Sequence, residues 1–406
     1  MRIFFVCQRV PFPPDRGDKI TTFNEIRHLS ATHEVHVFCL GDGVRDLDNL
    51  PGLRAYVRSV TAVPVRRGMS RLRALDALVR GRPLSVAAFD EAALHRAIIT
   101  KYDEAPPDLI IVFSSNVAQY AEHFPGVPRI MQFQELDSSK WSQYAQRSTI
   151  PLRWIYRAEA KRLYAYERRI ARRFTRATVC TAAEKCDFER TFPGVAVALV
   201  GNGVDLEYFR STGEQKSPGS IVFTGVMDYL PNIDAVTWLC DEILPAVQAQ
   251  IPEATLTICG NRPTAAVRRL AKRKGVAVTG WVPDIRPYLD RAEVFAAPLR
   301  LARGIQNKVL EALAMGLPCV ASTAAWRGTA IAEGAGILIS DDSREFAGQI
   351  VHLLRNGAFR AEIAGKARGA VEAKYSWATQ LAAFDEVIRA VTALPPGLSR
   401  CAAGPR

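Results

Sequence analysis

The chain has 406 residues, 48% of them hydrophobic and 23% charged, the composition of a globular protein too long for one ordinary core, so two domains are expected. Lysine and arginine outnumber aspartate and glutamate by 53 to 41, a net charge of +12. That favours an anionic partner (nucleic acid, lipid surface or phosphorylated substrate) without choosing among them. No apolar run approaches the roughly 18 residues of a membrane span, no recognised nucleic-acid module is present, and the eight cysteines form no C-x-x-C pair. Free thiols in a reducing, cytoplasmic compartment fit this better than a metal site or a disulfide framework.

The N-terminal MRIFFVCQRVPFPP has a short apolar run and no small-residue cleavage site, so it reads as a first strand and not as a signal peptide. A loop, QRVPFPPDRGDK, leads to a helix around TTFNEIRHLS and a strand in HEVHVFCL; further strands are expected at 109–113, 129–134 and 177–180. No loop carries a G-x-G-x-x-G fingerprint, which argues against a dinucleotide-binding dehydrogenase. Between residues 153 and 176 nine Arg/Lys stand against two Glu, while Tyr156, Ala160, Leu163, Tyr166, Ile170 and Phe174 recur at helical spacing. This is an amphipathic helix. Its cations are either the solvated face of a domain helix or a contact for anionic headgroups. A second basic stretch, VRRGMSRLRALDALVRGR, lies in the same half.

The polar RSTGEQKSPGS marks a linker, placed at 211–219 between domains at 1–210 and 220–375. The second half restarts the pattern with SIVFTG, a helix through IDAVTWLCDEILPAVQAQ, then ATLTICG, AVRRLAKRKG, VAVTGW, EVFAAPL, PCVAS and GILIS. Asp341 and Asp342 read as a helix start before SREFAGQIVHLL and not as a metal site. An apolar-striped helix at 376–394 and a tail at 395–406, expected to fray, close the chain. Strands alternating with helices predict α/β architecture: two Rossmann-like, doubly wound parallel-sheet domains facing a cleft at the strand carboxyl ends.

One helix draws the functional question. After Gly304 it should begin near Ile305 or Gln306 and end at Met315, with Gly316 as left-handed cap. It is apolar except for Lys308 and Glu311, which share one face. They are either an exposed pair worth well under ~1 kcal/mol or a phosphate contact and a sugar-hydroxyl contact at a strand–loop–helix junction, with Arg303 nearby.

The segment G-x-x-x-K-V-L-E-A-L-A-x-G-L-P-x-V-A-S (304–322), with NGVD…F (Asn202, Gly203, Val204, Asp205, Phe209) and YSW (Tyr375, Ser376, Trp377), resembles the GT-B glycosyltransferases of family 4. RVPFPPDRGDKI, QFQELDSSKW, GVMDYLPNIDA and GIQNKVLEALAMGLPCV are similar to the exopolysaccharide sugar transferases that accompany the PEP-CTERM/exosortase system. The resemblance implies a retaining, metal-independent hexosyltransferase with no cofactor beyond its nucleotide-diphosphate-sugar donor. It implies a lipid-linked or glycan acceptor in exopolysaccharide or cell-surface glycan synthesis, and a cytoplasmic protein peripheral to the inner face of the membrane. The second domain would bind donor, the first acceptor, and the helix after YSW would cross back to the first. By the same resemblance Glu311 contacts the ribose, and Gly304, Ile305, Gln306, Asn307 and Lys308 hold the diphosphate. Gly225 and Met227 line the donor, Trp281 and Val282 sit at the nucleobase, and Gly17, Asp18 and Lys19 approach phosphates and acceptor.

The chain departs from the family in three places. Arg303 occupies the position of the first motif glutamate, and the Arg/Lys clamp after the second domain's first strand is missing, with Met227, Asp228 and Asn232 in its loop instead. The first-domain histidine has no match: His123 reads as a surface residue, His33 and His36 as structural. Arg303 and Lys308 are therefore the candidate catalytic cations, and Asp137 the polar candidate in the first domain, unless it serves as a helix cap. Departure of the diphosphate develops negative charge that amides and cations stabilise. Two rival readings are a GT-B nucleotide-sugar 2-epimerase and a sugar-binding protein that has lost catalysis.

Overall fold

The structure, a computed structural model, describes residues 1–41, 43–65, 76–77, 79–124, 126–146, 148–302 and 304–393. Arg303, most of the second basic stretch and the tail from 394 lie outside the described residues. The described residues form two compact units, Met1–Gly201 with residues 380–393, and Asn202–Thr379.

In the first unit the apolar runs form strands β1 (Arg2–Cys7), β2 (Glu34–Gly41), β3 (Ser59–Pro64), β4 (Leu109–Phe113), β5 (Arg129–Gln134), β6 (Arg176–Val179) and β7 (Val197–Leu199). They make one sheet of order β3-β2-β1-β4-β5-β6-β7, parallel throughout. β1 and β4 are covered on both faces, as their unbroken Ile, Phe and Val runs require. The sequence reading missed the edge strands: β3 is half-buried along its length, and β7 is three residues long. The helix Trp377–Thr392 packs Phe384, Val387, Ile388 and Val391 into the core beside β1 and β2.

The second unit has strands β8 (Ser220–Thr224), β9 (Thr255–Cys259), β10 (Val276–Gly280), β11 (Val294–Ala297), β12 (Cys319–Ala321) and β13 (Ile337–Ile339), in the order β10-β9-β8-β11-β12-β13 and all parallel. The divide between units falls ahead of the polar stretch at 211–219. The intervening residues are tied down in the second unit: Val204 bridges to Ser376, and the Arg368 guanidinium donates to the carbonyls of Leu206 and Phe209.

In each sheet the strand order reverses once, between β1 and β4 and between β8 and β11, and loops leave the carboxyl ends on opposite faces there. Close backbone approach shapes the second switch point. A Cβ on Gly260 would lie 1.7 Å from the Gly225 carbonyl oxygen, whereas one on Gly348, in the helix Ser343–Arg355, would meet nothing within 4 Å. Gly260→Ala should therefore cost about 2 kcal/mol or more, and Gly348→Ala should gain about 0.5–1 kcal/mol as a helix-interior exchange. Urea unfolding midpoints moving in opposite directions would bear this out.

Candidate active site

In the second unit the sequence-predicted residues gather at the switch point. The segment after β11 passes through Gly304, at φ +62°, into the helix Asn307–Ala314. Gly304 is packed closely: a Cβ on Gly328 would lie 1.8 Å from its carbonyl oxygen. The helix closes with Gly316 at φ +69°, its N–H donating to Leu313 and that of Leu317 to Ala312, a Schellman closure. Val309, Leu310, Ala312, Leu313 and Ala314 are buried. Asn202, from the NGVD segment, donates through Nδ2 to Asn307 Oδ1 at 3.2 Å and so braces the first helical residue.

Lys308 and Glu311 are half-buried. The Lys308 ammonium donates to Asn232 Oδ1 at 2.5 Å and stands 4.6 Å from the centroid of the Phe223 ring. Burial pushes the lysine down to about 7, with the Glu311 charge opposing the shift; burial likewise pushes the Glu311 carboxyl up to about 7 against the pull of Lys308. A free surface pair would not be displaced this way. Perturbed partners at a strand carboxyl end make this junction a candidate ligand site.

Around them, Gly225 extends β8, and a Cβ there would come within 2.9 Å of Lys308 Nζ and 2.7 Å of Asn232 Nδ2. Met227 is a different matter: its side chain is wholly buried in the core and its N–H donates to the Asn261 carbonyl. It sets the loop and offers a ligand no side chain. Trp281, after β10, is 71% exposed with Val282 half-buried beside it, an aromatic face open to a planar partner. Ile305 and Gln306 are half-buried in the approach to the helix.

In the first unit Gly17, Asp18 and Lys19 open the helix Gly17–Ser30 after β1. With Cys7, Gln8, Arg9, Thr22 and Phe113, Asp18 and Lys19 line a small concavity. Asp18 accepts from Arg9 at 2.6 Å and Arg16 at 2.8 Å. Burial pushes its carboxyl up, but the two guanidinium groups outweigh it and hold the carboxyl below its ordinary value. Lys19 is buried against Asp46, 3.2 Å away.

Asp137 stands in the first turn of the helix Asp137–Gln146. It accepts from Ser115 Oγ at 2.8 Å, Asn116 Nδ2 at 3.3 Å and the Lys140 ammonium. Both oxygens are engaged, which describes an anchor between β4 and β5 better than a free base. Of the histidines, His36 is buried against Ser59 and Glu34, and His123 is exposed. Asp342 caps its helix, accepting from the Arg344 and Glu345 amides.

The sequence reading did not foresee the Asn202 brace, the Ser115–Asn116–Asp137 network or the grip of Asn232 on Lys308. Asn202, Asp137 and Asn232 each stood in a segment the sequence singles out, but their partners lie too far along the chain to be read from spacing. Among the described residues no group of three or more His, Cys, Asp or Glu is arranged to hold a metal ion.

Two doubly wound parallel-sheet units in series are the architecture of the GT-B glycosyltransferase structures to which the chain is similar. Residues 21–203 match the family model described as "Glycosyl transferase 4-like domain", and residues 218–356 match "Glycosyl transferases group 1"; the chain is a glycosyltransferase built of these two domains. Similar solved structures include the Anabaena protein HepE in complex with UDP-glucose (TM-score 0.71, 14% identity, 96% of this chain and 100% of that one). Sucrose-phosphate synthase from Thermosynechococcus elongatus is another (0.72, 16%, 97% and 100%), as is a mutant of S. aureus TarM in complex with Fondaparinux, alpha-GlcNAc-glycerol and UDP (0.70, 11%, 97% and 100%). At these identities the likeness is one of fold. A curated relative, "Uncharacterized 44.6 kDa protein in cps region" of Klebsiella pneumoniae, is 22% identical over 164 residues, 38% of this chain and 42% of that protein's length.

The paired shifts carry a sign. Glu311, raised to about 7, holds a proton in the folded protein that the unfolded chain has lost, so its contribution falls as pH rises from about 4.5 to 7. Lys308, lowered to about 7, loses its proton above that pH in the folded protein while the unfolded lysine stays charged, so its contribution rises from about 7 to 10.5. Ligand-free protein should therefore gain most in melting temperature from Lys308→Met combined with Glu311→Gln near pH 7, and less at pH 5 or 9. A gain that does not vary with pH would contradict the shifts.

Proposed function

We propose that this glycosyltransferase is a retaining, metal-independent enzyme that moves a hexosyl group from a nucleotide-diphosphate-sugar to a lipid-linked acceptor in exopolysaccharide or cell-surface glycan synthesis. The observation that carries the donor reading is the Lys308 ammonium, drawn out of water at the switch point and held beside Glu311. HepE was solved with UDP and UDP-glucose, and TarM with UDP, which supports a nucleotide donor here.

In this reading Lys308, Arg303 and the backbone of Gly304–Asn307 hold the diphosphate, Glu311 accepts from the ribose hydroxyls and Trp281 stacks on the base. Met227 keeps the loop in place. As the glycosidic C–O bond breaks, charge builds on the departing phosphate oxygen, and the fixed cations stabilise it more than they stabilise the intact donor. The acceptor oxygen then attacks on the same face while its proton leaves to the departing phosphate, in one ion-pair-like step that keeps the anomeric configuration. On the acceptor side, Asp18, Lys19 and Asp137 order the loops at the carboxyl ends of β1, β4 and β5.

The lipid-linked acceptor draws support from the helix Leu152–Arg173. Its two carboxylates face inward: Glu159 accepts from the Leu84 and Ser85 amides, and Glu167 from the Ser138 amide and hydroxyl. Outward stand Arg157, Lys161, Arg168, Arg169, Arg172 and Arg173, the counter-charge of Glu122 reaching Arg169 and Arg173. At the helix start Ile150, Leu152, Ile155 and Trp154 are exposed, Trp154 at 68%. A cationic face with an apolar tip suits an anionic bilayer surface. No helix among the described residues is long and apolar enough to cross one.

Lys308→Ala and Arg303→Ala should each weaken donor binding by about 1.5–3 kcal/mol, read by calorimetry with the nucleotide-sugar that most raises the melting temperature in a panel. Unchanged affinity in both variants would remove the donor assignment. Release of nucleoside diphosphate on adding donor and a lipid extract would distinguish transfer from epimerisation or simple binding. The protein should also co-sediment with phosphatidylglycerol-containing vesicles at low salt and lose most of that binding in Trp154→Ala/Ile155→Ala; failure to sediment would remove the membrane reading.

A further inference from the structure

We infer that Asn232 is a positioning residue for sugar transfer, holding the Lys308 ammonium where the leaving diphosphate needs it; this rests on the donor reading above. The loop after β8, residues 225–232, contains no lysine or arginine. It contributes instead an amide that presents a cation borne on another element.

The geometry supports this at three points. Asn232 is buried in the first turn of the helix Leu230–Trp238, just after Pro231. Its Nδ2 donates to the Val226 carbonyl at 2.8 Å, which fixes the amide plane so that Oδ1 faces Lys308 at 2.5 Å; the flipped amide would set a donor against an ammonium. Under the same ammonium lies the face of Phe223, on β8. And position 225 carries no Cβ, which would have met both Asn232 Nδ2 and Lys308 Nζ.

The chemistry of the two partners matters. An amide oxygen and an aromatic face attract an ammonium without neutralising it, so its charge stays available to a phosphate. An aspartate at 232 would hold the lysine as well but cancel the charge. Glu311, one turn along the same helix, is the charged group set against Lys308, and in the donor reading it is turned to the ribose.

The test is a double-mutant cycle on the full chain, with UDP, GDP and ADP as probes in calorimetry between pH 6 and 9. Lys308→Met should weaken the tightest of the three by tenfold or more, and Asn232→Ala by about tenfold, the scale of a charge-assisted hydrogen bond. In the Lys308→Met background Asn232→Ala should change nothing further, because its effect passes through the lysine. The pH at which affinity falls off should move down in Asn232→Ala and up in Asn232→Asp. Both variants lose the bond to Val226, so a residue that merely secures the loop would give both the same effect and would leave Asn232→Ala equally harmful without the lysine. Either result overturns the inference while leaving the donor site standing. If no diphosphate binds the unaltered protein, or Lys308→Met binds normally, the donor reading falls and the inference with it.

Discussion

An ammonium group half-withdrawn from water is costly unless something accepts its protons and tolerates its charge. The second unit is arranged around one such group. The helix that carries Lys308 is otherwise apolar apart from Asn307 and Glu311, and is buried along Val309, Leu310, Ala312, Leu313 and Ala314, so the lysine cannot be solvated by swinging away along a wet face. Asn232, Phe223 and Glu311 surround it from two other elements and its own. The glycines follow from the crowding. Gly225 makes room for the lysine and its amide partner, and Gly260 lets the neighbouring loop pass against Gly225.

Much of this was legible in the sequence, for identifiable reasons. The central strands have continuous Val, Ile, Leu and Phe runs because both their faces are covered, and such runs are hard to mistake. The Lys308 helix was bounded correctly at its carboxyl end because Gly316 and Pro318 are unambiguous stop signals. What escaped was short or distant. β3 and β7 lie at or near sheet edges, where half-burial leaves little pattern. The contact of Asn232 with Lys308 joins residues 76 positions apart, which no local spacing encodes. A methionine in a ligand loop and one in a core look alike in sequence, and only the structure shows that the Met227 side chain is buried. The domain divide moved for a related reason, since residues 202–210 carry ordinary loop composition and are recruited to the second unit by Arg368 and Ser376.

Both units concentrate unusual backbone at the strand carboxyl ends. Ser114, Gln134 and Arg262 adopt positive φ without being glycine, and they sit just beyond β4, at the end of β5 and just beyond β9. Such conformations persist only where the surroundings over-determine them. In the first unit the surroundings include the Ser115–Asn116–Asp137–Lys140 network. Fold and site thus draw on the same few loops, and residues there that look incidental in sequence, such as Ser115 and Asn116, are hydrogen-bonded in the folded chain.

The inward carboxylates of the helix Leu152–Arg173 have one more consequence. Glu167 is pushed up to about 8 by burial, with the Asp137 charge adding to the shift, and Glu159 is enclosed by amides, so neither moderates the charge displayed outside. That outer face carries guanidinium groups and a lysine. Exposed charge of this kind acts over a distance set by salt, because the Debye length contracts from about 30 Å at 0.01 M to about 10 Å at 0.1 M. The reach of this cationic face into its surroundings is thus a property of the medium as much as of the fold.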